Sequence, residues 1–368
     1  MKTYCFKLYA AKRDKKLRSQ INIAGCIYNH CIALHRRYYR LFGKSLNLNR
    51  LQKHLTKLKK LAKYAFWKEV GSQAIQDIAE RIDKGYKLFF RNLKHKVRTA
   101  PPSFKKVQKY KSFTLKQAGY KYTGGNQITI QKQKYKFHKS REIEGKIKTV
   151  TIKRDALGDI YLYFVCEQEK NQIIARTGKS VGFDFGLKTF LTASDDKDVE
   201  SPLFFKQNRS AIEKANRNLS RKKRGSANRN RARLELARLH KKTANQRKDF
   251  HFKLAGRLAA EYATICIEDL NMKAMQMLWG RKISDLGFSD FVDILEYQCS
   301  KTGSVVVKIP RFYPSSKTCS ACGYVMDELP LKVRQWTCPE CGTKHNRDKN
   351  AANNILRVGA STLSGEAS

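Results

Sequence analysis

The sequence is short of acidic residues. It sets 31 Asp and Glu against 76 Lys and Arg, leaving a formal charge of +45 on 368 residues. The excess runs along the whole chain rather than sitting in one tail, so it calls for a polyanionic partner. No apolar run approaches the ~20 residues of a membrane span, and the opening MKTYCFKLYAAKRDKKL has no apolar signal core ahead of its charges. An intracellular protein is expected. There is no Walker loop, dinucleotide fingerprint or Ser/His/Asp constellation to offer those enzyme classes, and no internal repeat. The ten cysteines do not form a disulfide framework. Cys5, Cys26, Cys31, Cys166, Cys266 and Cys299 stand singly in apolar contexts, and only the last four are bunched.

What is present points to nucleic acid. Aromatic residues make up 11% of the chain and interleave with basic ones in HRRYYR at 35–40 and KVQKYKSF at 106–113. That mixture suits phosphate contact combined with base stacking, and it favours nucleic acid over a membrane surface. A ribosomal-type protein, basic for structural reasons, is the competing reading.

The length is enough for two or three domains. A short strand at 4–9 is followed by helical spacing through Leu17, Ile21, Ala24, Tyr28, Cys31, Leu34, Tyr38 and Leu41. A second helix carries Leu51, Leu55, Leu58 and Leu61. A third, over 72–93, turns Ala74, Ile75, Ile78, Ile82, Phe89 and Leu93 inward. After Thr99-Ala100-Pro101-Pro102 the period changes to two, at Ile128 and Ile130, Tyr135 and Phe137, Val150 and Ile152, and Tyr161, Tyr163 and Val165. These predict antiparallel strands in a small β-barrel or meander. From Val181 strands alternate with helices, one long basic helical stretch covering about 206–262, which predicts an α/β domain. Residues 359–368 read as a disordered tail.

Cys319-x-x-Cys322-Gly and Cys338-x-x-Cys341-Gly are two knuckles with fifteen residues between Cys322 and Cys338. Each turn aims two thiolates at one point, and four thiolates close a tetrahedral Zn²⁺ shell with no position left for a reactive water, so the zinc is expected to be structural. A redox pair is the alternative; no thioredoxin-like βαβ context supports it.

Three acids stand in apolar settings. Val181-Gly-Phe-Asp184-Phe-Gly186 puts a carboxylate inside an apolar strand, where an unpaired charge costs several kcal/mol. Thr264-Ile-Cys-Ile267-Glu268 ends a second such strand in an acid, and Asp348 precedes a helical segment just after the second knuckle. Singly each has an ordinary reading, as a solvated strand end or an N-cap. Together they suit two divalent cations about 4 Å apart, which need carboxylate oxygens converging from different segments. An RNase H-like sheet would bring such acids together, and hard oxygen ligands select Mg²⁺ or Mn²⁺. Asp269, next to Glu268, is expected to point the other way.

VGFDFGLKTF, ICIEDLNM, PSSKTCSACG, WTCPECGTKHNRDKNAANNI and the N-terminal KLYAAKRDKKLRSQINIAGCIYNHCIAL resemble the TnpB (OrfB) family, relatives of the type V CRISPR effectors. The resemblance covers nearly the whole chain. It implies a multidomain α/β protein: a β-barrel wedge domain (1–10 and 99–178), a helical recognition lobe (11–98), a RuvC-like nuclease domain (179–316 and 344–358) and a zinc-binding insertion that contacts the target (317–343). It further implies an RNA-guided DNA endonuclease with Asp184, Glu268 and Asp348 as catalytic Mg²⁺ ligands. A guide RNA from the transposon end and a double-stranded DNA target bearing a short adjacent motif would be its partners. A cytoplasmic, nucleoid-associated monomer is expected, with a guided repressor lacking cleavage as the alternative. Among basic and polar positions, Arg221, Lys222, Lys223 and Arg224 are candidate phosphate contacts, and Gln73 and Gln76 candidate base readers. The family usually has an acid where this chain has Asn346.

Overall fold

The computed structural model describes residues 1–11, 14–168, 176–270, 277, 280 and 285–364. The chain forms two compact units, Met1–Lys170 and Asn171–Ser368.

In the first unit, β1 (Lys2–Lys7) leads into α1 (Asp14–Phe42), α2 (Leu48–Leu58), a 3₁₀ segment Ala62–Val70 and α3 (Ser72–Lys94). Asn47 caps α2, its side-chain oxygen accepting from the Asn49 amide at 2.8 Å. Helical spacing predicts the inner faces well: Leu17, Ile21, Ala24 and Cys31 of α1 and Ala74, Ile75, Ile78 and Ile82 of α3 are buried. It overreaches at the far ends. Leu41 and Leu93 are exposed and Phe89 only half-buried, because both helices outrun the core they pack on.

The strands of this unit are β2 (Ser112–Leu115), β3 (Tyr120–Lys121), β4 (Gln127–Ile130), β5 (Gln133–Lys136), β6 (Lys146–Arg154) and β7 (Ile160–Glu167). They do not make the expected barrel. Among the described residues they form an open sheet ordered β1-β7-β6-β2 and a separate sheet β3-β4-β5, linked by a single bridge between Leu8 and Phe137. Edge strand β2 is covered by a helix instead of a strand: the Arg81 guanidinium of α3 donates to the Ser112 carbonyl at 3.3 Å and to the Thr114 hydroxyl. In β7 the buried face is Ile160, Leu162, Phe164 and Cys166, the opposite phase to Tyr161, Tyr163 and Val165. Both faces of this strand are apolar enough to read as core, and the tyrosines keep their hydroxyl-bearing rings at the surface side.

The second unit holds a five-stranded sheet of β8 (Ser180–Phe185), β9 (Thr189–Ala193), β10 (Val199–Glu200), β11 (Thr264–Glu268) and β12 (Val305–Ile309). Its order is β10-β9-β8-β11-β12, with β11 parallel to both β8 and β12 and β9 antiparallel to β8. Its helices are α4 (Phe204–Arg221), α5 (Ala227–Glu261), α6 (Phe288–Thr302) and α7 (Arg347–Ser364). The short strands β13 (Gln335–Thr337) and β14 (Lys344–Asn346) pair before α7. The basic helical stretch expected over about 206–262 is present as two helices. One helix ends where Lys222 turns extended, and the next starts at Ser226, whose hydroxyl accepts from the Arg229 amide at 3.1 Å. The expected tail from 359 is likewise helical to Ser364, because α7 continues over the sheet; residues 365–368 lie outside the described residues.

Strand parity sorts the core. Val181, Phe183, Ile265 and Ile267 pack with α5 and α6, whereas Cys266 packs with Val307, Ile309 and Ile355 beneath α7. Gly182 lies on the α7 side, where an added Cβ would stand 2.6 Å from the Leu356 amide nitrogen and collide with the Ala352 carbonyl oxygen. Among the described residues no helix is long and apolar enough to cross a membrane.

This packing predicts glycine substitutions of opposite sign. Gly182→Ala forces α7 off the sheet and is expected to destabilise by about 2 kcal/mol or more, as overpacking does. Gly256→Ala, inside α5 with its nearest neighbour atom at 3.9 Å, should stabilise by about 0.5–1 kcal/mol. Denaturant midpoints of the two variants check both signs.

Candidate functional site

The same parity that buries Cys266 beneath α7 sends Asp184, two residues after Gly182, and Glu268, two residues after Cys266, to the α7 face. β8 and β11 run side by side with Ile267 opposite Phe183, so the two acids lie one step further along neighbouring strands. Asp348 stands in the first turn of α7. Three acids from distant parts of the sequence thus meet at the carboxyl-terminal edge of the parallel strands, where α/β sheets place their ligands.

Electrostatics registers the convergence. Asp184 keeps some surface open but is walled in by protein, and desolvation pushes its carboxyl well above the usual carboxylate range, with Glu268 and then Asp348 adding repulsion. Burial also raises Glu268, partly offset by the Ser315 hydroxyl, which donates to its carboxylate. Asp348 is engaged by Arg334, whose guanidinium donates to the two carboxylate oxygens at 3.1 and 3.3 Å. Asp269 turns away: Arg311 pairs with its carboxylate at 2.6 Å and donates to its carbonyl at 3.0 Å.

Asn346 has a definite place. Its side-chain oxygen accepts from the amides of Asp348 at 3.0 Å and Lys349 at 3.1 Å, so it caps the helix that presents Asp348. Asp in this position would cap equally well, which explains why the chain tolerates Asn here.

Sequence reasoning missed Ser315, Arg334, Asn350 and Asn354. The amide of Asn350 donates to the Thr318 carbonyl at 2.7 Å, and that of Asn354 to the Ser315 carbonyl at 2.9 Å and the Thr318 carbonyl at 2.6 Å. The Asn350 side-chain oxygen accepts from the Ser320 amide at 2.9 Å. The two asparagines, one helical turn apart and fully buried, were visible in the sequence as polar residues within the Ala351, Ala352, Ile355 stripe.

The four knuckle cysteines gather as predicted. Their sulfurs all lie within 4.8 Å of one another, with 3.6 Å between Cys319 and Cys341 and between Cys322 and Cys338. Such spacings exceed any disulfide and match a tetrahedral thiolate shell, in which bonds of about 2.3 Å put the sulfurs somewhat under 4 Å apart. Among the described residues this is the one group of metal-binding side chains drawn so close. Buried His345 stands 3.0 Å from the Cys319 sulfur and lies tilted against Trp336, with ring centroids 4.7 Å apart.

The other candidates sit on surfaces. Arg221, Lys222, Lys223 and Arg224 are exposed at the tip of the α4–α5 hairpin, where Arg229 donates to the carbonyls of Leu219 and Lys222 and fixes the turn. Gln73 is half-buried and Gln76 exposed on the first turns of α3.

Comparison with known proteins identifies relatives of the chain. The OrfB family model, described as "Probable transposase", matches residues 163–278, and a second described as "Cas12f1-like, TNB domain" matches 288–355. A protein of Streptomyces pristinaespiralis described as "Putative RNA-guided DNA endonuclease" is 34% identical over 366 residues, covering 96% of this chain and 89% of that one. InsQ of Escherichia coli (strain K12), with the same description, is 27% identical over 356 residues, covering 92% and 87%. Among solved structures, the cryo-EM complex of Cas12f1 with sgRNA and target DNA shares the fold, with a TM-score of 0.58 at 16% identity over 94% of this chain and 83% of that one. Identity at this level along almost the entire length, over the segments that hold both the acids and the cysteines, places the chain in the TnpB (OrfB) family.

Proposed function

We propose that this protein is an RNA-guided DNA endonuclease that hydrolyses phosphodiester bonds in guide-matched DNA, next to a short adjacent motif, at a site formed by Asp184, Glu268 and Asp348. The observation that carries the reading is the desolvated Asp184, pushed up by two further carboxylates that reach it from another strand and from a helix. A cluster of like charges in a poorly hydrated place has a large unmet need for cations. The relatives described as RNA-guided DNA endonucleases support the same reading.

The donor set fits hard divalent cations, Mg²⁺ or Mn²⁺, with all three acids as ligands. Bound there, such ions supply an activated water and charge for the departing 3′ oxygen. The chain's own part is positional. Ser315 orients Glu268, the Asn346 cap fixes the first turn that carries Asp348, and Arg334 supplies a cationic fork beside it that suits a phosphate as well as a carboxylate. The strand order and acid placement agree with an RNase H-like, RuvC-type domain. The thiolate quartet takes structural Zn²⁺, closing its shell without an open position.

Three expected outcomes follow in order of directness. Asp184→Ala, Glu268→Ala and Asp348→Ala should each abolish Mg²⁺-dependent cutting, by a thousandfold or more on the order of losses at sites that act as a unit, while guide and target binding stays near wild type. Asp269→Ala should keep substantial activity. A wild-type protein that binds its RNA and matched DNA yet never cuts would turn the reading into guided repression, and joined rather than free ends in the product would turn it into strand transfer. Cys319→Ser or Cys338→Ser is expected to lose stoichiometric zinc and loosen residues 317–343, checked by metal analysis and limited proteolysis.

The raised Asp184 makes a pH prediction. The native state holds this proton more tightly than the unfolded chain does, so the associated stability is full below the unfolded carboxylate value and is lost as pH rises through the raised native value. Asp184→Asn keeps a neutral side chain there at every pH. It should raise the melting temperature of the metal-free protein at about pH 8, with the gain shrinking toward about pH 4. A gain that is independent of pH would contradict this.

A further inference from the structure

We propose that Phe312 is a base-stacking post that seats the DNA strand at the mouth of the carboxylate site; the inference rests on the nuclease reading above and adds a substrate contact to it. Phe312 is 92% exposed, more than any other large hydrophobic side chain among the described residues. Scattered exposed apolar residues are ordinary, so exposure alone decides nothing. What distinguishes this one is its mounting.

The ring sits at the tip of Pro310-Arg-Phe-Tyr-Pro314, a turn closed by the Tyr313 amide donating to the Pro310 carbonyl at 3.1 Å. Both feet of the turn stand on the strand that ends in Glu268. On one side, Ile309 pairs with Glu268, and its carbonyl accepts from the Asp269 amide at 3.4 Å. On the other, the Ser315 hydroxyl donates to the Glu268 carboxylate. Next to the ring, Arg311 is clamped on Asp269, and Tyr313 packs on the Cys266, Val307, Ile309 and Ile355 cluster. Phe312 is three residues from each foot, so its backbone lies within roughly 10 Å of both anchors of Glu268.

A turn whose neighbouring side chains are both engaged, Arg311 in a surface ion pair with Asp269 and Tyr313 against the Ile309 cluster, while the aromatic stands in water, is pre-organised for a contact made by something else. At the carboxyl edge of the sheet, beside acids whose substrate is a phosphodiester and in a chain of net charge +45, that contact is an unstacked nucleobase of the strand being cut. Stacking is tolerant of sequence, as a guided nuclease requires, since the guide supplies the specificity. A ring held this close to Glu268 meets a base within a few nucleotides of the scissile phosphate, fixing the strand's approach without touching the reacting atoms.

The test uses the full-length protein with its co-purifying RNA and matched double-stranded DNA. Phe312→Ala should slow single-turnover cutting by roughly tenfold to a hundredfold, the loss expected for one stacked base. Phe312→Trp should restore the rate, and Phe312→Leu, which keeps apolar bulk, should not. Melting temperature, zinc content and guide affinity should stay at wild-type values in all three, because the side chain is exposed. An abasic site placed successively around the cut should slow the wild type at one position, and at that position cost Phe312→Ala nothing further. Equal rates for wild type and Phe312→Ala, full activity in Phe312→Leu, or additive losses at every abasic position would each overturn the stacking role. Those results leave cutting by the wild type intact, whereas a wild type that never cuts overturns the nuclease reading itself. Concentration-dependent self-association abolished by Phe312→Ala, with cutting unchanged, would reassign the ring to a protein interface and likewise overturn the proposal.

Discussion

The organisation of the second unit depends on two side-chain amides. Asn350 and Asn354 leave α7 on one face and hold the carbonyls of Ser315 and Thr318, while the Ser320 amide returns a bond to Asn350. These bonds are buried, so losing either amide strands carbonyls at about 1–3 kcal/mol each rather than exchanging them for water. Through this one joint, the helix that bears Asp348, the serine that holds Glu268 and the first cysteine knuckle become a single body.

Such a joint is needed because the site opposes its own assembly. Three carboxylates brought to one edge repel each other, and desolvation of Asp184 adds to the cost. The compensation lies in apolar packing on both sheet faces. Phe183, Phe190, Leu258, Phe291 and Leu295 fill the α5–α6 side, and Gly182, Ala351 and Ala352 let α7 lie almost backbone to backbone on β8 on the other. Residues at i and i+2 on one strand therefore divide the labour. Gly182 admits the helix, and Asp184 meets the acid that the helix brings.

Two of the acids were legible because a carboxylate in VGFDF or at the end of TICIE interrupts an apolar strand; Asp348, which reads singly as an N-cap, gained its meaning only beside them. The cysteine quartet was legible because tetrahedral metal geometry constrains spacing within a few residues. Ser315 and Arg334 were not, since one serine or one arginine in so basic a chain carries no local signal and acquires its meaning only from what folding sets opposite it. The barrel expected in the first unit failed for a similar reason: strand periodicity reports which face is buried, not whether the last strand finds the first, and here Arg81 of α3 takes the edge of β2. The phase of β7 was ambiguous because tyrosine and valine on one face compete with leucine and phenylalanine on the other.

These links change how the cysteine module is understood. A four-cysteine module inserted before the last acid is, in principle, separable from the rest of the unit. Here it is bound into the site at two points. Its first knuckle begins at Thr318, whose carbonyl is gripped by both asparagines, and Arg334, just ahead of β13, reaches back to Asp348. His345 of β14 packs between Trp336 and the Cys319 sulfur, so the hairpin that closes the second knuckle runs directly into the Asn346 cap and the first turn of α7. The order of the cysteine module and the placement of Asp348 are therefore mechanically linked, through the Asn350 and Asn354 grip on Thr318 and the Arg334 reach to Asp348.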